Sequence, residues 1–259
     1  MKTSNILFIL AIATAILGIR FTESLCTVTM TLDNKPIDNI SKFWLKRYDL
    51  KVTQELPQPI KHIKVTGDTD KELQLEIHKT QGAENNLFSH NPQQFDYKTV
   101  GDSLLIHVTG KYARIDLRQA TPVEDVEAQY INVNIQHIMQ DKFRIAAMDG
   151  SQFFLKRNYL RRDEQDTIGY LTIESTKQAN VTLANIYINN ANVSLNDAVL
   201  SYSSTTQIDS LSVHLDGRST VKLNSGDKGQ QVANISLSGN KQFFKKELLG
   251  KDVNINIID

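Results

Sequence analysis

"NVTLANIYINNANVSLNDAVL", residues 180–200, decides how the rest of the chain is read. Asn180 precedes an alternating apolar pair, Val181 and Leu183, and about a dozen residues later the pattern returns with Val193 and Leu195. Period-two alternation over so few residues gives a short strand with one face buried and one face wet. The Asn and Asp residues between such strands suit corners, because they tolerate left-handed backbone and bond to their own neighbouring main chain. The stretch predicts a strand, a polar corner, and the same again.

The same alternation starts at Ile60 and runs to the last residues: "IKVTG", "LQLEI", "LLIHV", "ARIDL", "INVNI", "YLTIE", "LSVHL", "NISLS" and "VNINI". After the first residues, no stretch keeps a helical period over three turns, so the class is all-β. From Leu171 the strands are very short, their connectors carry Asn, Ser, Asp and Gly, and a loose self-similarity recurs every twenty-odd residues. Repetition on that scale predicts stacked coils, that is, a parallel β-solenoid, with stacked Asn, Ser and Thr bonding coil to coil. A twisted antiparallel sandwich is the alternative arrangement. The two longest interruptions, residues 79–97 and 151–166, read as loops.

Ahead of this head, "NILFILAIATAILGI" (residues 5–19) is almost wholly apolar, with Lys2 before it and Arg20 after it. The Ala pairs that could mark a cleavage site lie inside the apolar run. The expectation is therefore an uncleaved membrane-anchoring helix over 1–21, with a cleaved signal as the alternative. Residues 22–59 read as a stalk or linker and 60–259 as the head. The aromatics Phe43, Trp44 and Tyr48 read as an interfacial cluster in that stalk. Either export reading places the bulk of the chain outside the cytoplasm, in the periplasm or at the cell surface.

Composition excludes several functions. Twenty-nine Lys and Arg balance 29 Asp and Glu, so no charge excess draws the chain to nucleic acid. A single cysteine, Cys26, gives no internal disulfide. The basic cluster of Lys156, Arg157, Arg161 and Arg162 is followed at once by acids, as in a solvated loop. His62, His78, His90, His107, His137 and His214 sit in no metal-ligand spacing and read as surface residues. No nucleophile elbow is present, and neither a metal nor a cofactor is expected. Asp197, Asp209, Asp216 and Asp227 recur at corner-like positions and could stack along one edge; turn chemistry accounts for them more simply than catalysis does.

The apolar first segment, the lead-in "LPQPIKHIKVTGD" and the Asn/Ser-rich run "LSVHLDGRSTVKLNSG…NISLSGNKQFFKKELLGKDVNINI" together resemble the family known as "putative auto-transporter adhesin, head GIN domain" of Bacteroidetes-like bacteria. The resemblance covers roughly 60–258. It implies a head that is a right-handed parallel β-solenoid (β-helix) displayed in the cell envelope, and it carries no catalytic residue to transfer. It also gives interest to the Asp-Ser/Thr-apolar pattern, which marks Ser103, Thr167 and Ser210 as O-glycosylation candidates. The function expected is non-enzymatic: a structural or adhesive envelope protein that meets glycans or other envelope proteins through a broad polar face, with self-association through an exposed strand edge. A carbohydrate-active β-helix enzyme and a periplasmic sensor or scaffold are the alternatives.

Overall fold

The structure, a computed structural model, describes residues 14, 27–29, 51–82, 84–136, 138–156, 167–203, 205–223, 232–246, 249 and 253–258. The chain is all-β. Its first strands are β1 (Thr27–Thr29), β2 (Lys51–Glu55), β3 (His62–Thr66), β4 (Glu72–Lys79) and β5 (Asn86–His90). After a single 3-10 turn at Pro92–Gln94 come β6 (Phe95–Val100), β7 (Ser103–Val108), β8 (Tyr112–Gln119), β9 (Asp125–Gln129) and β10 (Asn132–Gln136). The middle strands are β11 (Gln140–Met148), β12 (Gln152–Lys156), β13 (Thr167–Thr176), β14 (Asn180–Ala184) and β15 (Tyr187–Asn196). The last are β16 (Val199–Tyr202), β17 (Gln207–Asp216), β18 (Thr220–Leu223), β19 (Val232–Gly239) and β20 (Asn254–Ile257).

These strands form two ten-stranded sheets that enclose one core. Sheet I has the order β1-β2-β5-β8-β4-β10-β12-β14-β16-β18, and sheet II the order β20-β19-β17-β15-β13-β11-β9-β3-β7-β6. The sheets are mixed. Pairs β2–β5, β5–β8 and β6–β7 are antiparallel, and the other described pairs are parallel.

Two expectations are corrected here. A uniform right-handed parallel β-solenoid would add each coil beyond the last, but β3 lies between β7 and β9, and β4 between β8 and β10. The chain therefore lays β7 and β8 on one side of β3 and β4, then returns to the other side with β9 and β10. With the antiparallel strands added, the result is an all-β sandwich of two mixed sheets. Alternation fixes which residues face inward, and it is silent on strand direction and neighbour. The second correction concerns the membrane-anchoring helix preceding the head: among the described residues no helix is long and apolar enough to cross a membrane. Apart from Thr14, the segment 1–21 lies outside the described residues, as do Cys26, Phe43, Trp44 and Tyr48. Within 22–59, β1 and β2 belong to sheet I, and Val52 and Leu56 are buried.

From β9 to β19 successive strands alternate between the sheets, so like side chains stack in register. Leu171, Ala191, Leu211 and Ile235 form one inward ladder of sheet II; Ile173, Val193, Val213 and Leu237 form the next. Val133, Phe153, Val181, Leu200 and Val221 face them from sheet I. Burying a Val, Leu or Ile side chain is worth about 1.5–3 kcal/mol against leaving it exposed, so these ladders supply most of the drive to stack.

The opening stretch resolves as β14, a corner at Asn185 (φ 57°), β15, and a second corner at Asp197 (φ 51°). Both corners are left-handed, where Asn and Asp are tolerated better than other side-chain-bearing residues. The Asp197 corner is stitched to its neighbours: Gln178 N donates to Asp197 O (2.7 Å), and Arg218 N donates to Asp197 Oδ1 (2.8 Å). Gly217 packs so close to Asp197 that a Cβ there would lie 2.4 Å from its carboxylate. The fully buried Ser219 donates to Asp216 O and accepts from Ala198 N, bonding one layer to the next.

The two predicted loops contain strands. Residues 79–97 hold β5, and 151–166 hold β12. In "NLFSH" the inward positions are Leu87 and Ser89, so the apolar signal is halved; in "QFFLK" the outward Phe154 sits between inward Phe153 and Leu155 and hides the alternation.

Candidate functional site

The outer face of sheet II breaks its own alternation at one place. In β13, β15, β17 and β19 an inward residue (Ile168, Ile188, Ile208, Val232) is followed by two outward ones: Gly169 and Tyr170, Asn189 and Asn190, Asp209 and Ser210, Ala233 and Asn234. Alternation then resumes with the ladder that begins at Leu171. The slip falls at the same register in all four strands. Two successive outward residues turn a strand out of its regular pleat, and because partners slip together the four turns align into one bend across the sheet. At Gly169 the fit is tight, since a Cβ would meet Asp141 O at 2.8 Å.

The bend leaves a trough of about 310 Å³ on the outer face. One wall is a row running across the strands: Tyr170, Asn190, Ser210, Asn234. The other is the row Asn192, Ser212, Ser236. Ala191 and Leu211 close the floor, but both side chains are buried in the core. Tyr170 is 42% exposed, and Asn190, Asn192, Ser210, Ser212 and Asn234 are also exposed. No side chain lining the trough is charged. Asn254 continues the first row on β20 and donates to Asn234 Oδ1 (3.2 Å).

Asp209, Glu174 and His214, near this trough, are engaged. Tyr187 donates to Asp209 Oδ2 at 2.6 Å, a bond that raises the tyrosine pKa. Glu174 accepts two bonds from Arg144, at 3.1 and 2.6 Å, which hold its carboxyl below the usual range. His214 Nδ1 lies 3.1 Å from Ser238 Oγ.

A second concentration of charge lies on sheet I, where Glu76 and Asp116 are register partners and both nearly buried. Arg114 reaches both carboxylates, at 2.8 and 3.4 Å, and His78 and His90 approach them at 3.5 and 3.7 Å. The bond from His78 is the main influence lowering the Glu76 pKa. The two acids and these three basic side chains form one network, and Arg118, the register partner of His78, lies beside it with its guanidinium 4.5 Å from the Phe88 ring centre. Among the described residues no group of three His, Cys, Asp or Glu is placed to hold a metal ion.

The structure scatters some sequence candidates and collects others. Ser210 lies in the trough wall. Ser103 opens β7 opposite Val100 and His62, and Thr167 opens β13 beside Tyr187; both are half-buried. Asp197 and Asp216 occupy neighbouring layers of one corner, whereas Asp209 sits at the bend and Asp227 lies outside the described residues. Arg157, Arg161, Arg162 and His137 also lie outside them. His62 is no plain surface residue: its Nδ1 is 2.5 Å from Asp125 Oδ2, and this bond raises its pKa. Sequence reading missed the trough, yet the signal was present as doublets of non-core residues ("GY", "NN", "DS", "AN") between apolar neighbours at 20- to 24-residue spacing.

No family model matches the chain, so none supports the head GIN domain resemblance, and no curated protein matches it. Solved structures do. A "putative adhesin" from Bacteroides fragilis is 11% identical, with a TM-score of 0.47 over 80% of this chain and 95% of that one. A "putative adhesin" from Parabacteroides distasonis is 13% identical, with a TM-score of 0.38 over 81% and 98%. A "Putative lipid binding protein" from Parabacteroides distasonis is 11% identical, with a TM-score of 0.40 over 81% and 97%. None of these three bears an enzyme's name, and at such distances their names carry no argument about this chain.

Proposed function

We propose that this chain is a non-enzymatic binding protein of the cell envelope, exported, and that the trough on sheet II is its recognition surface for glycans or for other envelope proteins. One observation carries the reading: four strands slip their alternation at the same register, and the concavity so formed is lined by uncharged amides and hydroxyls. Asn190, Asn192, Ser210 and Ser212 hold such hydrogen-bonding capacity open to a partner, while Asn234 already bonds to Asp209 O (3.4 Å) and Asn254 (3.2 Å). The nearby carboxylates of Asp209 and Glu174 are committed to Tyr187 and Arg144, which disfavours the carbohydrate-active alternative, whose chemistry needs a free acid and base. The test is incubation of the full chain with a glycan panel, following both binding and product formation. Retention of intact glycans that Asn190→Lys abolishes is the expected result; cleavage that stops on adding a chelator moves the chain to the enzyme class. Protease access to a tagged chain in intact cells separates surface from periplasmic display.

Self-association is a second reading, favoured by Ile257 and Ile258, which are 58% and 48% exposed at the β20 edge of sheet II. Light scattering over a dilution series tests it. O-glycosylation at Ser103, Thr167 or Ser210 is a further part of the proposal, tested by the intact mass of native protein. A glycan on Ser210 would occupy the trough itself.

A further inference from the structure

We infer that the trough takes a neutral linear saccharide lying across the strands, with Tyr170 as the stacking platform at one end; this rests on the reading that the trough is the recognition surface. Three features select that ligand class. The lining offers only amides, hydroxyls and one tyrosine, so it can donate to and accept from hydroxyls but holds no counter-charge for an ionic group. The floor residues Ala191 and Leu211 turn their side chains into the core, being 3% and 1% exposed, so a peptide would find no apolar pocket for an anchoring side chain. Tyr170 presents a ring that is 42% exposed, a flat amphipathic surface suited to the C–H face of a sugar with its hydroxyls pointing to the amides.

Direction follows from register. Tyr170, Asn190, Ser210 and Asn234 are consecutive Cα partners, so the row runs perpendicular to the strands. Neighbouring strands are about 4.8 Å apart, so the row offers a polar group at that interval over roughly 14 Å. A ligand that uses it must be elongated and must repeat its own hydroxyls. Lys142 is the register partner of Tyr170 on β11 and is exposed. It is the group that would draw an acidic polymer to the same place, and it makes the choice between neutral and acidic saccharide a sharp one.

The experiment is a backbone-amide NMR titration of the full chain with cellohexaose, with an oligogalacturonate of matching length, and with cellobiose. Cellohexaose is expected to shift Asn190, Ser210 and Asn234, to bind more tightly than cellobiose, and to keep its affinity as salt rises from about 0.1 M to about 1 M, where the screening length falls from about 10 to about 3 Å. Tyr170→Ala is expected to weaken it roughly fivefold while Tyr170→Phe keeps most of the affinity, the size of an aromatic contact. Lys142→Ala is expected to leave it unchanged. Shifts in the same amides on adding oligogalacturonate but not cellohexaose, lost with salt or with Lys142→Ala, overturn the neutral assignment while keeping the trough. The absence of shifts there with either saccharide overturns the assignment and the recognition reading together.

Discussion

Across β3, β9, β11 and β13, the outer face of sheet II carries charged residues that pair with opposites on a neighbouring strand. Lys64 meets Glu127 at 2.6 Å, His62 meets Asp125 at 2.5 Å, and Arg144 meets Glu174 at 2.6 Å; just ahead of β3, Lys61 meets Glu124 at 2.9 Å. Across β15, β17, β19 and β20, comparable outward rows read Asn190, Ser210, Asn234, Asn254 and Asn192, Ser212, Ser236, Asn256. Beneath both regions lie the same kinds of inward Ile, Leu and Val ladders. The difference teaches that this sheet's core and its outer face are separable. The first region pairs much of its outward charge within the protein, and the second leaves Asn190, Asn192, Ser210 and Ser212 open at a bend.

The largest expected effects probe what the regions share. Ile145→Ala under the charged region and Leu237→Ala under the uncharged one each remove a side chain at 0% exposure and should each cost about 2–5 kcal/mol in urea unfolding. A loss confined to one of them would break the shared-core half of the comparison. Next comes Gly239→Ala: its φ of +82° and the Leu215 carbonyl 2.2 Å from the added Cβ both oppose a side chain, for about 1–3 kcal/mol.

Acidity should separate the regions more gently. Asp125 raises the His62 pKa above its ordinary 6.5, so the stability it adds is complete below that value and is lost as pH rises through the raised folded value. Arg144 and Lys61 hold Glu174 and Glu124 below their ordinary 4.5, so their contribution is present above 4.5 and is lost as pH falls through the depressed values. Amide exchange should therefore show β3 and β9 opening more readily at alkaline pH, with β17 and β19 steady; His62→Gln should remove the alkaline step. The smallest effect is Lys64→Ala, whose exposed pair with Glu127 should be worth under about 1 kcal/mol and less in high salt.

Much of this was legible in the sequence, for reasons that also mark where it stopped. Inward residues such as Val181, Leu183, Val193 and Leu195 announce themselves by alternation, and all four are buried. The corners at Asn185 and Asp197 follow from residue type. Strand order did not follow. Placing β7 beyond β3 puts Ser103 beside His62, 41 residues earlier, and no local pattern encodes that choice. The same holds for His62 and Asp125, which are 63 residues apart and meet only once the register is known. Ser210 was singled out for its Asp-Ser-Leu context, although the feature that places it in a wall of the trough is the slip shared with Asn190 and Asn234.

The most direct test carries the charged pattern into the trough. Asn190 and Ser210 are register partners, so Asn190→Glu with Ser210→Lys should reproduce an ion pair like that of Lys64 and Glu127. The measurement is the affinity of this double variant for cellohexaose beside its unfolding free energy. The account predicts stability within about 1 kcal/mol of the parent, as for an exposed ion pair, and binding abolished. Unchanged binding at unchanged stability would contradict it, because the open amides and hydroxyls of the bend would then have no part in recognition.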